Sequence, residues 1–228
     1  YINRFISQTD RSYLNALIRY NATLQERNKL LKNHPTEEML MIYDTMLATA
    51  AETIFERRTA TIAAMQPLVE RYYAILAEER ETIALDYRSE MQETPLMELL
   101  QQSRQRDFVN EYTSSGPHRD DIVFSIADYP LRKFGSQGQQ KSFLIALKLA
   151  EYTLLAEHSN EKPILLLDDL FDKLDMRRVA QLLRLVGGDM FGQIFITDSN
   201  KVRMSGIVDR ITSDRAYFDT AGGSFRRI

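Results

Sequence analysis

Gly135-Ser136-Gln137-Gly138-Gln139-Gln140, opening an amphipathic stretch, and Pro163-Ile164-Leu165-Leu166-Leu167-Asp168-Asp169, an apolar run ending in two carboxylates, decide how this chain folds. The apolar run reads as a fully buried strand with charge at its C-terminal end, the edge of an open α/β sheet where ligands collect. Ser136 and Gln139 stand in S-x-x-Q spacing, which marks a helix start whose free amides are met by side chains in a capping box. Glycine-spaced amides beside strand-end carboxylates suit a nucleoside triphosphate with Mg²⁺. Ser136 and the amides near Gly138 would supply donors to phosphate oxygens, and Asp168 is the natural partner of the metal, usually through water because Mg²⁺ dehydrates reluctantly. Asp169, one residue on and facing the other way, is placed to polarise an attacking water. The plainer alternative is that Ser136 and Gln139 only cap a helix and the two aspartates only end a strand.

Around these motifs the apolar periodicity orders the rest of the chain. Phe143, Leu144, Leu147, Leu149, Ala150 and Leu154 give a helix over 136–156, followed by the strand at Ile164, a helix from Asp175 to Val186 and a strand from Gln193 to Thr197. That order is βαβ and predicts a parallel sheet with right-handed crossovers and flanking helices. Upstream, Thr82 to Tyr87 reads as a strand and Pro95 to Asn110 as a helix with proline in its first turn. The polar turn Ser114 to Asp121 leads into Ile122, Phe124 and Ile126, which alternate as in a half-buried strand. Near the end, Tyr217, Phe218 and Gly222-Gly223 before Phe225 predict a short strand and turn.

The first eighty residues have a different texture. Leu14, Leu17, Ile18, Leu24 and Leu31 fall at helical spacing between Asp10, an N-cap, and the stop Asn33-His34-Pro35. Thr36 caps a second pattern through Met39, Ile42, Tyr43, Met46, Leu47, Ala50 and Ile54, which resumes as Ile62, Met65, Val69, Tyr72 and Leu76. Pro67 removes an amide donor within it and predicts a kink or a helix boundary. The chain is thus expected to divide into a helical arm over 1–80, with its Met and Tyr stripe as core, and an α/β unit over 81–228.

With 228 residues the chain can bury one substantial core or two unequal ones, and with no cysteine it has neither disulfides nor thiolate metal sites. It contains no apolar run of about 18 residues, so no membrane span is expected and a cytoplasmic location is the default. A formal charge of −3 and a pI near 5.7 argue against global electrostatic capture of nucleic acid, leaving only local patches. Arg57-Arg58, Lys201, Arg203 and Arg226-Arg227 are the candidates, although scattered basic residues are ordinarily a solvated face. The opening Tyr1-Ile2-Asn3-Arg4-Phe5 has neither initiator methionine nor secretion signal, and the chain is expected to begin inside a longer protein.

In their order of occurrence, several motifs resemble the ATP-binding-cassette heads of the structural-maintenance-of-chromosomes class, and within it the RecF family of bacterial recombination mediators. They are GPHRDD at Gly116 to Asp121, FGSQGQQ at Phe134 to Gln140, ALKLAE at Ala146 to Glu151 and PILLLDDLFDKLD at Pro163 to Asp175. ISQ at Ile6 to Gln8, Tyr13-Leu14 and QERNKLLK at Gln25 to Lys32 resemble that family's helical arm.

The resemblance implies a partial cassette ATPase head that binds ATP and Mg²⁺ between two copies. Ser136, Gln137, Gly138 and Gln139 would form the signature loop that caps the partner's γ-phosphate. Asp168 would be the Walker B metal-associated aspartate, Leu174-Asp175 part of a loop touching the opposite subunit, and Asp169 would stand where most such enzymes carry glutamate. One methylene shorter, Asp169 implies slow turnover. The family works on double-stranded or junction DNA with RecO and RecR to load RecA. No G-x-x-x-x-G-K-[ST] occurs, so the segment alone is not expected to hydrolyse ATP. Relatives carry a switch histidine after the counterpart of Ile196-Thr197, where this chain has Asp198, a group that cannot donate to phosphate while ionised, leaving Thr197 as the substitute. Two other readings stand beside this one: a non-enzymatic helical interaction module, and a head of a long-coiled-coil chromosome-organising ATPase. For His118-Arg119 the alternatives are a charged contact near nucleotide or DNA, and a loop pinned by Arg119 to Asp120 or Asp121.

Overall fold

Asp10 separates the first two helices of the computed structural model, which describes residues 1–33, 35–77, 81–169, 174–199 and 201–228. It sits in extended conformation between α1 (Ile2–Thr9) and α2 (Arg11–Leu31), and its carboxylate accepts from the Tyr13 amide at 3.0 Å. That bond and one from the Ser12 hydroxyl hold the Asp10 carboxyl below the usual range, the hydroxyl contributing most. Next comes α3 (Glu37–Ala77), 41 residues in one helix, begun by Thr36, whose hydroxyl accepts from the Met39 amide at 3.4 Å. Pro67 lies inside α3 without ending it. Its neighbour Gln66 satisfies the Leu85 amide at 2.7 Å, docking the first strand against the helix. His34, in the expected stop, lies outside the described residues, as does Arg80 at the expected arm boundary.

The seam between α2 and α3 differs from the apolar stripe. Along α3 the buried positions include Leu40, Asp44, Leu47, Ala51, Ile54, Arg58, Ile62, Met65, Val69, Tyr72 and Leu76, at steps of three or four. On α2 they are Tyr13, Tyr20, Thr23, Arg27 and Leu31. Three side chains expected in the core, Met39, Ile42 and Met46, face solvent instead, as does Ile18 at 59% exposure. The reason is ionic. Arg27 Nε meets Asp44 Oδ1 at 2.7 Å and Arg27 Nη1 meets Asp107 Oδ2 at 2.8 Å, with no exposure on any of the three side chains. Charges paired and hydrogen-bonded in this way can occupy a seam that unpaired charges cannot.

After α3 the chain forms β1 (Ile83–Arg88), α4 (Leu96–Asn110), β2 (Asp121–Ile126) and the short β3 (Tyr129–Pro130). β1, β2 and β3 make an antiparallel sheet with Ile83 opposite Ile126 and Arg88 opposite Asp121. α5 (Leu131–Phe134) then leads into α6 (Gln137–Ser159), which runs against α3, where the buried hydroxyls of Tyr72 and Thr153 meet at 2.7 Å. One continuous core therefore takes in Leu47, Tyr73, Leu85, Phe143 and Ala150, joining the N-terminal helices to the sheet.

β4 (Leu165–Leu167), α7 (Met176–Val186) and β5 (Ile194–Ile196) form the expected βαβ unit, with Leu165 opposite Ile194 and Leu167 opposite Ile196 in parallel pairing. β4 is not the fully buried strand its composition suggests. Leu165 and Leu167 pack on the core, whereas Ile164 and Leu166 are 59% and 71% exposed and Phe195 on β5 is 52% exposed. Among the described residues β4 and β5 pair only with each other, and Ile164, Leu166 and Phe195 mark an exposed face of the pair. α8 (Lys201–Val208) and a hairpin of β6 (Phe218–Ala221) and β7 (Ser224–Arg227) complete the order. Gly222 and Gly223 hold φ of 55° and 78° in its turn, left-handed at both central positions as a two-residue hairpin requires. Among the described residues no helix is long and apolar enough to cross a membrane.

Candidate functional site

α6 begins with the capping box its spacing encodes. Ser136 Oγ accepts from the Gln139 amide at 3.2 Å, and Gln139 Oε1 accepts from the Ser136 amide at 2.7 Å. The Ser136 hydroxyl hydrogen has no acceptor among the described residues, and the amides of Gln137 and Gly138, in the first turn, have no partner within the helix. Ser136 and Gln137 are exposed, while Gly138 and Gln139 are half-buried. An exposed helix start with one unspent hydroxyl and two unspent amides fits an anionic phosphoryl oxygen.

The carboxylates follow a different element, β4. Asp168 follows β4 and is exposed, and its Oδ1 takes a short hydrogen bond from Thr197 Oγ1, at the end of β5. Thr197 Oγ1 also accepts from the Asp169 amide at 3.3 Å, so one threonine ties both aspartates to the neighbouring strand. With its hydrogen donated to Asp168, Thr197 has none left for a phosphate in this arrangement. Asp169 is exposed with φ of 48°, a left-handed conformation that aspartate tolerates better than most residues. Among the described residues no three His, Cys, Asp or Glu side chains gather to hold a metal. A single carboxylate still suits Mg²⁺, which keeps several waters and takes its remaining ligands from phosphate. Asp175 is the exposed N-cap of α7, accepting from the Arg178 amide at 2.9 Å. Residues 170–173 of the second motif lie outside the described residues. No hydrogen bond joins the Ser136 corner to the Asp168–Thr197 pair among the described residues.

The GPHRDD turn is pinned from α2 and α3. Tyr20 Oη lies 2.7 Å from His118 Nδ1, and His118 Nε2 lies 3.0 Å from the Thr113 carbonyl. A carbonyl only accepts, so the fitting tautomer carries its hydrogen on Nε2 and accepts from the Tyr20 hydroxyl on Nδ1. Burial pushes the His118 imidazole below its ordinary pKa, which keeps it neutral. Arg58 reaches the Pro117 carbonyl at 2.7 Å and Asp120 Oδ2 at 2.6 Å. The turn is thus held by Arg58, not by Arg119, whose guanidinium lies 5.2 Å from the centroid of the Tyr112 ring. Arg58 is 6% exposed and fully engaged, which removes it from the candidate DNA contacts, and Arg57 is paired with Asp10 at 3.0 Å. Arg226 and Arg227 are exposed on β7, and the side chains of Lys201 and Arg203 lie outside the described residues. Periodicity could not find Tyr20, Arg58 or Arg27, since nothing local marks a partner 98, 62 or 80 residues away.

Gly116 opens this turn with φ of 124°, and an added Cβ would stand 2.5 Å from Tyr20 Oη and 3.1 Å from Leu96 Cδ1. Gly116→Ala is expected to cost about 2–3 kcal/mol, combining backbone strain with loss of the Tyr20–His118 bond. A urea-unfolding midpoint equal to that of the parent protein would contradict this.

No protein-family model matches the sequence. A DNA replication and repair protein RecF of Bacteroides fragilis is 41% identical over 225 residues, which are 98% of this chain and 61% of that protein. The corresponding protein of Flavobacterium johnsoniae is 43% identical over 213 residues, 91% of this chain and 59% of its own length. Two solved structures cover the whole chain. The recombination mediator protein RecF-ATPrS in the RecFOR pathway aligns with a TM-score of 0.80 at 27% identity over 62% of its own chain. The RecF-ATP structure of that pathway aligns at 0.79 and 28% over 61%. The chain spans about three fifths of the length of the curated relatives it matches.

Proposed function

The chain belongs to the RecF family of DNA replication and repair proteins, and from that premise we propose that it supplies the arm and the partner-facing part of an ATP-gated DNA clamp. Its fold is the α/β part of an ATP-binding-cassette head joined to an antiparallel helical arm. In this proposal the arm is residues 1–80 and the head portion 81–228.

The observation that carries the reading is the division of the nucleotide chemistry into two half-sites. Unspent donors stand at the start of α6 and carboxylates at the end of β4, with no hydrogen bond between them among the described residues. Two copies face to face would complete each other. Ser136 and the amides of Gln137 and Gly138, with Gln139 closing the corner, would meet the γ-phosphate held by the partner, and Asp175 would lie in the dimer-facing loop. Bound Mg²⁺ neutralises phosphate charge, and Asp168, oriented by Thr197, would hold it through water. Asp169 would accept the proton of an attacking water, at a reach one methylene short of glutamate, which favours slow turnover and long-lived closure. ATP then acts chiefly to gate residence on double-stranded or junction DNA in the cytoplasm, with RecO and RecR as partners in loading RecA.

Light scattering tests the central point. A protein of the relatives' full length carrying this sequence is expected to double its mass when ATP and Mg²⁺ are added and to revert when they are removed. A monomer at saturating nucleotide would overturn the reading. One observation favours the interaction-module alternative: Met39, Ile42 and Met46, at 47%, 63% and 53% exposure, line one stripe of α3 at spacings of three and four. That stripe fits a protein partner on the arm, and it is compatible with the clamp.

A further inference from the structure

One carboxylate joins the end of α3 to the start of α6. Glu81 Oε2 accepts from Tyr73 Oη at 2.8 Å, and Glu81 Oε1 accepts from Gln139 Nε2 at 2.7 Å. Gln139 is the residue whose Oε1 closes the capping box on the Ser136 amide. A side-chain amide has two orientations, and in most capping boxes nothing but the box itself selects one. Here the alternative orientation would set Nε2 against the Ser136 N–H and Oε1 against the Glu81 carboxylate, a donor facing a donor and an acceptor facing an acceptor. Glu81 therefore selects the orientation that closes the box. Its second oxygen is tied to Tyr73, a buried α3 side chain whose ring centroid lies 6.4 Å from that of Phe143 on α6.

We infer that Glu81 is a positioning residue for the Ser136 corner: through Gln139 it fixes where the Ser136 hydroxyl and the Gln137 and Gly138 amides point, and through Tyr73 it links that aim to the arm. The inference rests on the reading of this corner as phosphate-facing. Glu81 itself need touch no nucleotide. It acts on the geometry of donors that do, and the misalignment caused by its loss is felt only when a phosphate must be met.

A double-mutant cycle in the full-length protein tests this. Glu81→Ala and Gln139→Ala are each expected to weaken ATP-dependent dimerisation about tenfold, and the double variant about tenfold as well, because both remove the same constraint. A roughly hundredfold, additive loss in the double variant would overturn the inference. A readout independent of nucleotide accompanies it. The Gln139 amide, bonded to Ser136 Oγ, is expected to exchange hydrogen about tenfold faster in Glu81→Ala at unchanged melting temperature, and unaltered exchange would also overturn the inference. Ser136→Arg separates the two readings. If that variant dimerises normally, the phosphate-facing reading of the corner fails, while the exchange measurement still decides the role of Glu81.

Discussion

In a protein of the relatives' full length, Ser136→Arg is expected to abolish ATP-dependent dimerisation while leaving nucleotide binding by the monomer intact. The hydroxyl is exposed and its hydrogen unspent, so in the closed dimer it can give a charge-assisted hydrogen bond of about 1.5–3 kcal/mol to the partner's phosphate. The helix start behind it adds about 0.3–1 kcal/mol. Two such corners per dimer amount to several kcal/mol, enough to decide whether a weak interface closes. Arginine removes the hydroxyl and fills the approach with a long side chain, so the loss should exceed that of a mere deletion. The N-cap is lost as well, at a cost of about 1 kcal/mol, which leaves the monomer folded. Light scattering with ATP, beside a nucleotide titration of the monomer, reads both halves. Dimerisation equal to that of the parent protein would sink the assignment of this corner, and loss of monomer binding would place Ser136 on its own copy's nucleotide.

Arg27→Ala is expected to lower the unfolding free energy by about 3–5 kcal/mol, the usual cost of removing one partner of a buried ion pair. A domain is typically stable by only about 5–15 kcal/mol, so the variant should be close to unfolding under mild conditions. Arg27 donates to Asp44, Asp107 and Thr113 from a position with no exposure. Without it, Asp44 keeps only Arg104, at 3.1 Å, and Asp107 keeps only the amide and hydroxyl of Ser114. Asp44 would then keep one guanidinium and Asp107 only neutral donors. Arg27→Lys restores charge but not the fork that reaches two carboxylates at once, and it should fall between parent and alanine. Urea unfolding checks the series, and a loss below about 1 kcal/mol for alanine would show that water or rearrangement replaces the guanidinium.

What was readable in the sequence was local. S-x-x-Q spacing at Ser136 and Gln139 marks a box whose two partners lie within four consecutive residues, and the glycine pair at 222–223 specifies its hairpin just as locally. The βαβ unit of β4, α7 and β5 followed from the order of its apolar runs. The N-terminal seam did not follow, because apolar periodicity assigns Met39, Ile42 and Met46 to the core and has no place there for Asp44 or Arg58. Those two charges are admitted by Arg27 and Asp120, and a partner distant in sequence is invisible to a window of residues. A clue was nonetheless present: Arg27, Asp44 and Arg58 each occupy a position in register with neighbouring buried apolar residues. The link from Glu81 to Gln139 was hidden in the same way, although both of its ends flank elements that composition had located.

The half-bare parallel pair of β4 and β5 has a practical side. Ile164, Leu166 and Phe195 put three large apolar side chains into water beside strand edges that pair with no further strand among the described residues. Taken by itself, a polypeptide of this span should be a poor colloid: at the concentrations of a purification column its molecules would meet most readily through that surface. The formal charge of −3 offers little electrostatic repulsion to hold them apart.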